Sequence, residues 1–347
     1  MNFGVRARLS GKYGMISMEN YWKGKRVFVT GATGFLGSWI VKYLLDYGAH
    51  VTTLVRDKPA NSNFYLMGLN TRVNVVDGDV KDYESITRTM NEYEIDTVIH
   101  LAAQALVGPA LNLPIETFEV NVRGTWNVLE AARKSKNIQR VVVASSDKAY
   151  GSHEKLPYDE DAILNGRYPY DVSKSCADMI AQSYFITYGL PVGITRCGNL
   201  YGPGDMNFSR IVPGTFKSII KNENPIIRSD GTFKRDYFFV HDAVNGYLTL
   251  TKALDNTNIR GHAFNLAPQR PLTVLELFQK MIDVSGKTQL KPIIKNEAKQ
   301  EIRDQYLSND KAKKLLGWSP KYTVEEGLRE TYDWYVKFFK NEPIDRY

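Results

Sequence analysis

Short runs of β-branched residues alternate with segments of helical spacing through the first half of this chain. The alternation begins with Arg26-Val27-Phe28-Val29-Thr30, continues with a helical segment at 38–47 and returns to a strand-like run at 51–55. It recurs in three further strand-like runs and two helical segments, at 73–76, 83–92, 97–101, 122–134 and 141–145. Such alternation is typical of a parallel sheet covered by helices on both faces. The sequence therefore predicts an α/β fold with a doubly wound parallel sheet.

Loops rich in glycine and proline, such as Gly202-Pro203-Gly204, replace this alternation after about residue 201. Two helices in that part begin with Thr-x-x-Glu capping boxes, Thr273 to Glu276 and Thr323 to Glu326, in which each side chain satisfies a free backbone N–H. We therefore expect a smaller C-terminal lobe that closes over the first domain. The predicted boundaries are 1–23 for a flexible basic extension, 24–200 for the first domain, together with part of 237–265, and 201–347 for the lobe.

Positive charge is concentrated at the start of the chain. The formal net charge is +7, and residues 1–26 contribute +5 of it, from six Lys and Arg side chains against Glu19 alone. The rest of the chain, with +2, is nearly balanced. Binding to nucleic acid requires a clustered basic surface on the folded domain. The sequence therefore predicts no nucleic-acid partner.

The composition encodes neither a membrane span nor a metal site. The longest apolar runs, such as 141–144, are far shorter than the roughly 20 residues that a helix needs to cross a bilayer. The two cysteines, Cys176 and Cys197, lack paired spacing, and no histidine cluster accompanies them. We expect no disulfide, no metal, no membrane contact and a reducing, cytoplasmic location.

A glycine cluster stands between the first predicted strand and the first predicted helix. Its sequence is Gly31-Ala32-Thr33-Gly34-Phe35-Leu36-Gly37. Glycines here permit a tight turn and let backbone N–H groups approach a pyrophosphate at the positive end of the helix. The cluster predicts a dinucleotide site whose contacts come from Gly31, Thr33, Gly34, Phe35, Leu36 and Gly37.

The end of the second strand bears on which dinucleotide binds. A carboxylate at this position accepts the ribose hydroxyls and repels a 2′-phosphate. Asp57 therefore favours NAD, whereas the neighbouring Arg56 suits stacking on adenine or contact with a phosphate. The sequence favours NAD and leaves NADP open.

Two polar segments carry the residues of a proton-transfer site. One is Ser146-Asp147-Lys148, directly after a predicted strand, and the other holds Tyr170 and Lys174, whose spacing puts them on one face of a helix. A lysine ammonium beside a tyrosine favours the phenolate, so Tyr170 can take a hydroxyl proton as hydride leaves for nicotinamide. Ser146 would hold the same oxygen by a hydrogen bond.

These motifs, in this order, resemble the extended short-chain dehydrogenase/reductase family, whose members act on nucleotide sugars. The resemblance runs from about residue 25 to 340 and includes several further stretches: Asp79-Val80, Leu101-Ala102-Ala103-Gln104, Asn121-Val122-Arg123-Gly124-Thr125 and Arg196-Cys197-Gly198-Asn199-Leu200-Tyr201-Gly202-Pro203-Gly204. It implies a Rossmann domain that binds NAD, a lobe that binds the nucleotide sugar, and a homodimer formed through the helix after Asn121 and the Tyr170 helix.

The resemblance also implies roles for individual residues. On the cofactor side it implies that Asp79 and Val80 contact the adenine and that Asn121 braces the sheet near the cofactor. Further contacts with the dinucleotide are implied for Leu101, Ala102, Ala103, Tyr170 and Lys174. On the substrate side it implies contacts from Gln104, from Asn199 to the diphosphate, and from Arg210 and Arg235 to the nucleotide half. Guanidinium groups suit phosphate recognition.

The residues after Ser146 bear on the reaction. A sugar 4,6-dehydratase needs an acid and a base there, because water leaves C6 while a proton leaves C5, and Asp147 and Lys148 are the candidates. Most such dehydratases resemble a Thr-Asp-Glu pattern, whereas a lysine at the third position looks like CDP-glucose 4,6-dehydratases. Asp147 is the better acid. Lys148 acts as the base only if desolvation removes its proton, and otherwise stabilises the enolate.

Two other functions stay open. A nucleotide-sugar 4-epimerase would use Ser146, Tyr170 and Lys174 without the acid and base, and residues 199–214 look closer to general nucleotide-sugar epimerases and dehydratases. A non-catalytic dinucleotide-binding protein has no need of a proton-transfer set, so these three residues argue against it. The sequence favours a 4,6-dehydratase with a CDP-glucose-like substrate and tightly bound NAD.

Overall fold

Seven parallel strands form the central sheet of the computed structural model, which describes residues 15–297 and 302–344. In chain order they are β1 (Arg26–Thr30), β2 (His50–Val55), β3 (Asn74–Asp77), β4 (Thr97–His100), β5 (Arg140–Ala144), β6 (Val192–Cys197) and β11 (Ala263–Leu266). Their order across the sheet is β3-β2-β1-β4-β5-β6-β11. The strand order reverses between β1 and β4, the topological switch point of a doubly wound sheet. The predicted fold class is confirmed.

Helices cover both faces of this sheet. They are α1 (Met15–Trp22), α2 (Phe35–Asp46), α3 (Asn63–Leu66), α4 (Tyr83–Glu92), α5 (Val107–Asn112), α6 (Pro114–Phe118), α7 (Gly124–Lys134), α8 (Pro169–Tyr188), α9 (Ile211–Ile220), α10 (Val240–Ala253), α11 (Val274–Ser285), α12 (Asp310–Leu316) and α13 (Val324–Phe339). A π-turn, Glu119–Arg123, joins α6 to α7, and 3-10 turns lie at Leu69–Thr71, Asp147–Tyr150 and Thr257–Ile259. Within the described ranges, no helix is long and apolar enough to cross a bilayer.

The sheet is buried from both sides. Val27 and Val29 of β1 belong to the apolar cluster that includes α2 and α10, whereas Phe28 belongs to the cluster under α4, α7 and α8. In β4, β5 and β6 every residue except Ala144 is buried. Burial on both faces explains why these strands are rich in β-branched residues rather than alternating between apolar and polar ones.

The short strands form three small sheets in the C-terminal part. β7 (Asn199–Tyr201) pairs with β10 (Tyr237–Phe239), β8 (Ile226–Ile227) pairs with β13 (Ile293–Ile294), and β9 (Lys234–Arg235) lies between β12 (Leu272–Thr273) and β14 (Asp304–Gln305). Both predicted capping boxes are present, at Thr273 before α11 and at Thr323 before α13. Leu277 of α11 and Trp334 of α13 share a core cluster with α2 and α10, so this part packs directly on the sheet. The domain boundary near residue 200 stays a prediction.

The predicted flexible extension, 1–23, falls only partly within the described residues. Residues 1–14 lie outside them, whereas Met15–Trp22 form α1, whose Met18 and Trp22 are buried in the core. The Tyr21 hydroxyl donates to Asp255 at 3.0 Å. The expectation of a flexible segment is therefore wrong for α1, because burial of its apolar side chains offsets the entropy lost when these residues become ordered.

Candidate active site

A cavity of about 1800 Å³ opens at the carboxyl-terminal edge of the central sheet. Residues that follow β1, β2, β4, β5 and β6 all line it, because the carboxyl ends of parallel strands meet at one edge. The predicted site residues in the lining are Gly31, Thr33, Gly34, Phe35, Leu36, Gly37, Arg56, Asp57, Asp79, Val80, Leu101, Ala102, Ala103, Ser146, Asp147, Lys148, Tyr170, Lys174, Asn199, Arg210 and Arg235. The structure thus brings nearly the whole predicted set to one cavity.

The glycine turn after β1 is shaped by close approaches of the backbone. Gly31 has φ of +74°, and a Cβ there would lie 2.7 Å from the backbone nitrogen of Ala102. A Cβ on Gly37 would lie 2.1 Å from the Gly31 carbonyl oxygen. Gly34 is the N-cap of α2 and offers no side chain to its first N–H groups. A turn this tight, with uncapped N–H groups at a helix N-terminus, fits the pyrophosphate of a dinucleotide.

Charged side chains at the end of β2 pair with each other. Arg56 Nε donates to Asp57 Oδ2 at 2.7 Å, and the same guanidinium lies 3.7 Å from Glu116. Both Arg56 and Asp57 are more than half exposed. Asp79 and the buried Val80 line the cavity after β3. Because an arginine accompanies the carboxylate, this geometry leaves the choice between NAD and NADP as the sequence left it.

Asn121 braces the loop after β4 from outside the cavity lining. Its Oδ1 accepts from the Gln104 N–H at 2.7 Å, and its Nδ2 donates to the Gln104 carbonyl oxygen at 3.0 Å and to Ser173 Oγ at 2.9 Å. Asn121 lies in the π-turn, a feature that is frequent at functional sites. Gln104 is not brought to the cavity, because its side chain bonds to the Leu106 N–H and carbonyl oxygen instead.

The polar segment after β5 forms a 3-10 turn that directs its side chains toward the cavity. Ser146 Oγ caps the turn by accepting from the Lys148 N–H at 3.2 Å, and it donates to Asp147 Oδ1 at 3.0 Å. Lys148 Nζ donates to Asp147 Oδ2 at 3.1 Å and to Gln305 Oε1. The side chains of Asp147 and Lys148 are only 4% and 19% exposed. In both contacts the lysine nitrogen is the donor.

Tyr170 and Lys174 line the cavity from the start of α8. Burial raises the pKa of Tyr170 to about 12, while a hydrogen bond with Ser146 and the charge of Arg210 oppose the rise. Burial lowers the pKa of Lys174 to about 8, and its Nζ donates to the Ala144 carbonyl oxygen at 2.8 Å. The charge of Arg210 therefore lowers the pKa of Tyr170. The expected lowering of that pKa by Lys174 stays a prediction.

Three predicted substrate residues reach the cavity from the C-terminal part. Asn199 opens β7, and Arg210 precedes α9 and pairs with the buried Asp205 at 3.0 Å. Arg235 on β9 donates to the backbone carbonyl oxygens of Ile302 and Arg303. These contacts hold two guanidinium groups at the cavity wall, where the charge suits a phosphate.

Some residues of the site escaped the sequence prediction. Asp171 lines the cavity next to Tyr170; burial raises its pKa to about 6, and the charge of Lys148 opposes the rise. Its place in the Tyr-Asp-Val-Ser-Lys motif is a signal that could have identified it. Gln305, which contacts Lys148, offers no such signal, because it lies 157 residues further along the chain in a stretch without a motif.

The sequence of this chain is similar to those of known nucleotide-sugar dehydratases. The family model described as GDP-mannose 4,6 dehydratase matches residues 28–331. The CDP-glucose 4,6-dehydratase of Salmonella typhimurium is 31% identical over 340 residues, covering 94% of each chain.

Solved structures of related enzymes share the fold. The UDP-glucose 4-epimerase of Thermotoga maritima, solved with UDP-glucose, matches with a TM-score of 0.82 and 29% identity, covering 90% of this chain and 99% of that one. The dTDP-glucose 4,6-dehydratase of Bacillus anthracis, solved with NAD, matches with a TM-score of 0.80 and 27% identity, covering 92% and 99%. The resemblance found in the sequence is confirmed: the chain belongs to the family of NAD-dependent nucleotide-sugar dehydratases and epimerases within the extended short-chain dehydrogenases/reductases.

Proposed function

We propose that this chain is a nucleotide-sugar 4,6-dehydratase that acts on CDP-glucose or a close relative of it. The observation that carries the proposal is the position of Asp147 and Lys148, which line the same cavity as Ser146, Tyr170 and Lys174. Epimerisation requires only the last three, whereas elimination of water requires further proton-transfer groups at the sugar. Similarity to the CDP-glucose 4,6-dehydratase of Salmonella typhimurium supports the choice of substrate.

NAD is the proposed cofactor. Its support is the tight turn at Gly31, the uncapped first turn of α2, the carboxylate of Asp57, and the NAD in the Bacillus anthracis dehydratase structure. Bound NAD supplies a group that accepts hydride from C4 of the sugar and later returns it. Mass spectrometry of the dinucleotide released from purified protein tests this choice: we expect NAD, and NADP alone would contradict it.

Tyr170 and Ser146 would act on the C4 hydroxyl. Tyr170 takes the hydroxyl proton as hydride leaves C4, and Ser146 holds the same oxygen by a hydrogen bond. With a pKa of about 12, the phenol of Tyr170 keeps its proton at neutral pH in the structure described here. A cation must therefore stabilise the phenolate during the reaction, and Lys174 and Arg210 are the cavity residues that can do so.

Elimination would follow because the ketone at C4 acidifies the proton at C5. Asp147 accepts hydrogen bonds at both oxygens, so it must first take up a proton from solvent; it would then protonate the C6 hydroxyl, which leaves as water while a double bond forms between C5 and C6. As an ammonium beside Asp147 and Gln305, Lys148 would stabilise the enolate that forms. Asp171 is then the cavity carboxylate that accepts that proton. With NAD bound, hydride would return to C6 and Asp171 would return the proton to C5, which completes the reaction.

The mass of the product tests this proposal. Incubation of the wild-type protein with CDP-glucose should yield a product lighter by one water. In Asp147→Asn and Lys148→Met variants, C4 oxidation should still be visible as reduced cofactor, while water loss falls by about 10²-fold or more. The same exchanges at the exposed Asp161 and Lys155 serve as matched controls. A wild-type product of unchanged mass would exclude elimination for this substrate.

A nucleotide-sugar 4-epimerase is the second candidate. The match to the Thermotoga maritima UDP-glucose 4-epimerase favours it, as does the likeness of residues 199–214 to general nucleotide-sugar epimerases and dehydratases. An epimerase should retain turnover in Asp147→Asn and lose it in Tyr170→Phe. A non-catalytic dinucleotide-binding protein should turn over no nucleotide sugar, and the joint presence of Ser146, Tyr170 and Lys174 in one cavity argues against it.

A homodimer is the proposed assembly. Trp126 on α7 and Met179 and Ile186 on α8 are between 43% and 78% exposed, and apolar surface of this kind on neighbouring helices suits an interface between two copies. Sedimentation should give twice the monomer mass for the wild type, and Met179→Glu with Ile186→Glu should give monomers. The exposed Ile163 belongs to neither helix, so Ile163→Glu is the control, and a monomeric wild type would contradict the proposal.

A further inference from the structure

Gln305 contacts the turn that carries Asp147 and Lys148. Its Nε2 donates to the Asp147 carbonyl oxygen at 2.8 Å, and its Oε1 accepts from Lys148 Nζ. The Gln305 side chain is 0% exposed, and it lies behind Lys148 rather than in the cavity lining. A substrate would therefore meet Lys148 and not Gln305.

The two contacts fix the direction of the Gln305 amide. Its NH₂ group faces a carbonyl oxygen, which only accepts, and its oxygen faces an ammonium, which only donates. Turning the amide over would place donor against donor at Lys148 and acceptor against acceptor at Asp147. Gln305 therefore always presents an acceptor to Lys148, and this acceptor limits where the Lys148 nitrogen can lie.

The strand that carries Gln305 is also fastened to a predicted nucleotide-binding residue. In the parallel pairing of β14 with β9, Gln305 stands opposite Arg235. The Arg235 guanidinium lines the cavity and donates to the carbonyl oxygens of Ile302 and Arg303, immediately before β14. Arg235 lies on the strand that pairs with β14, and Lys148 contacts Gln305 of β14. Both Arg235 and Lys148 line the same cavity.

We propose that Gln305 is a positioning residue, which holds the Lys148 nitrogen beside Asp147 and links that position to the strand pair that carries Arg235. The role is specific to the elimination step, because Lys148 is needed there and not for oxidation at C4. This inference rests on the proposed dehydratase function.

A double-mutant cycle with Lys148 tests the proposal. Gln305→Met keeps the side-chain length and removes both hydrogen bonds. In this variant the rate of water loss from CDP-glucose should fall by about tenfold to a hundredfold, with KM and the rate of cofactor reduction unchanged. In a Lys148→Met background, Gln305→Met should change the residual rate by no more than about twofold, because a residue that acts through Lys148 has no further effect without it.

Further outcomes separate this role from a structural one. Gln289→Met, on the exposed surface, is the matched control and should behave as the wild type. Equal losses from Gln305→Met in both backgrounds, or parallel losses of cofactor reduction and water release, would overturn the positioning role. A wild-type protein that releases no water overturns the dehydratase function and this inference with it. If the wild type releases water and Gln305→Met releases it at the same rate, only the role of Gln305 is overturned.

Discussion

The two ends of the cavity are built in different ways. At the cofactor end, residues 31–37 lie within one strand-turn-helix unit, and the shape is set by backbone approaches such as that of Gly37 to Gly31. At the reaction end, the turn at 146–148, Tyr170 on α8 and Arg210 before α9 come from segments far apart in the chain, and Gln305 on β14 contacts Lys148 from outside the lining. One end depends on side chains being absent, and the other depends on particular functional groups.

This difference explains how one fold can serve several reactions. A backbone-defined cofactor end is compatible with dehydratases and epimerases alike, and relatives of both kinds share the fold of this chain. We expect the choice of reaction to depend instead on two or three side chains near Tyr170. Substitutions at the reaction end should therefore change chemistry, with little change in folding unless they remove a buried charge, and those at the cofactor end should change binding and folding together.

Tyr170→Phe should have the largest effect. Removal of the phenolic hydroxyl eliminates the proposed base, so turnover of CDP-glucose should fall by about 10³-fold, within the range for general base catalysis. The unfolding midpoint should stay close to that of the wild type. Tyr184→Phe, on the same helix but bonded to Glu130, is the control and should keep full activity. Retained turnover in Tyr170→Phe would remove the catalytic assignment.

Lys174→Met should separate stability from activity. Because folding lowers the pKa of Lys174 from 10.5 to about 8, the folded chain binds fewer protons than the unfolded chain between these pH values. Its stability should therefore rise with pH across this window, and at pH 7 the buried charge should cost about 3 kcal/mol.

In the Lys174→Met variant, the free energy of unfolding at pH 7 should rise by up to about 3 kcal/mol. Loss of the hydrogen bond from Lys174 to the Ala144 carbonyl oxygen reduces this gain. Turnover should be lost. Denaturant titrations at pH 7 and pH 10 measure the effect, which should shrink at the higher pH. The same change at the exposed Lys313 is the control. A variant less stable than the wild type at pH 7 would show that the ammonium is better accommodated than its burial suggests.

A pair of glycine substitutions should have the smallest effect and sharpen the contrast at the cofactor end. A Cβ on Gly37 would meet the Gly31 carbonyl oxygen at 2.1 Å, whereas one on Gly34 would meet the same atom at 3.2 Å. Gly37→Ala should destabilise the fold by about 2 kcal/mol and weaken NAD binding, and Gly34→Ala should cost less than about 1 kcal/mol. Thermal unfolding and dinucleotide titration measure both, and equal effects would contradict a turn set by backbone contact.

Much of the fold could be predicted because its signals are local. The predicted helix at 83–92 has the observed bounds, and the predicted strands agree with β1 to β5 within one or two residues. Both capping boxes formed, since each involves residues only three apart. The glycine turn could also be predicted, because a glycine cluster between a strand and a helix is typical of a dinucleotide site.

The remaining features depend on contacts between distant residues. Gln305 meets Lys148 only because β14 pairs with β9, and no pattern along the chain reports that pairing. Gln104 belongs to a recognised motif, yet its side chain closes a local turn instead of reaching the cavity. Likewise, α1 is ordered by the core site that receives Trp22, a site formed by later parts of the chain.

The last strand of the central sheet has a consequence for biosynthesis. β11 comes from residues 263–266 and pairs with β6, which ends at Cys197. Until the ribosome has made this later segment, the buried β6 is an unpaired apolar edge open to pairing with other chains. We expect a nascent chain that ends between β6 and β11 to be more prone to aggregation than the complete chain. We expect the central sheet to be completed only after residues 263–266 have been synthesised.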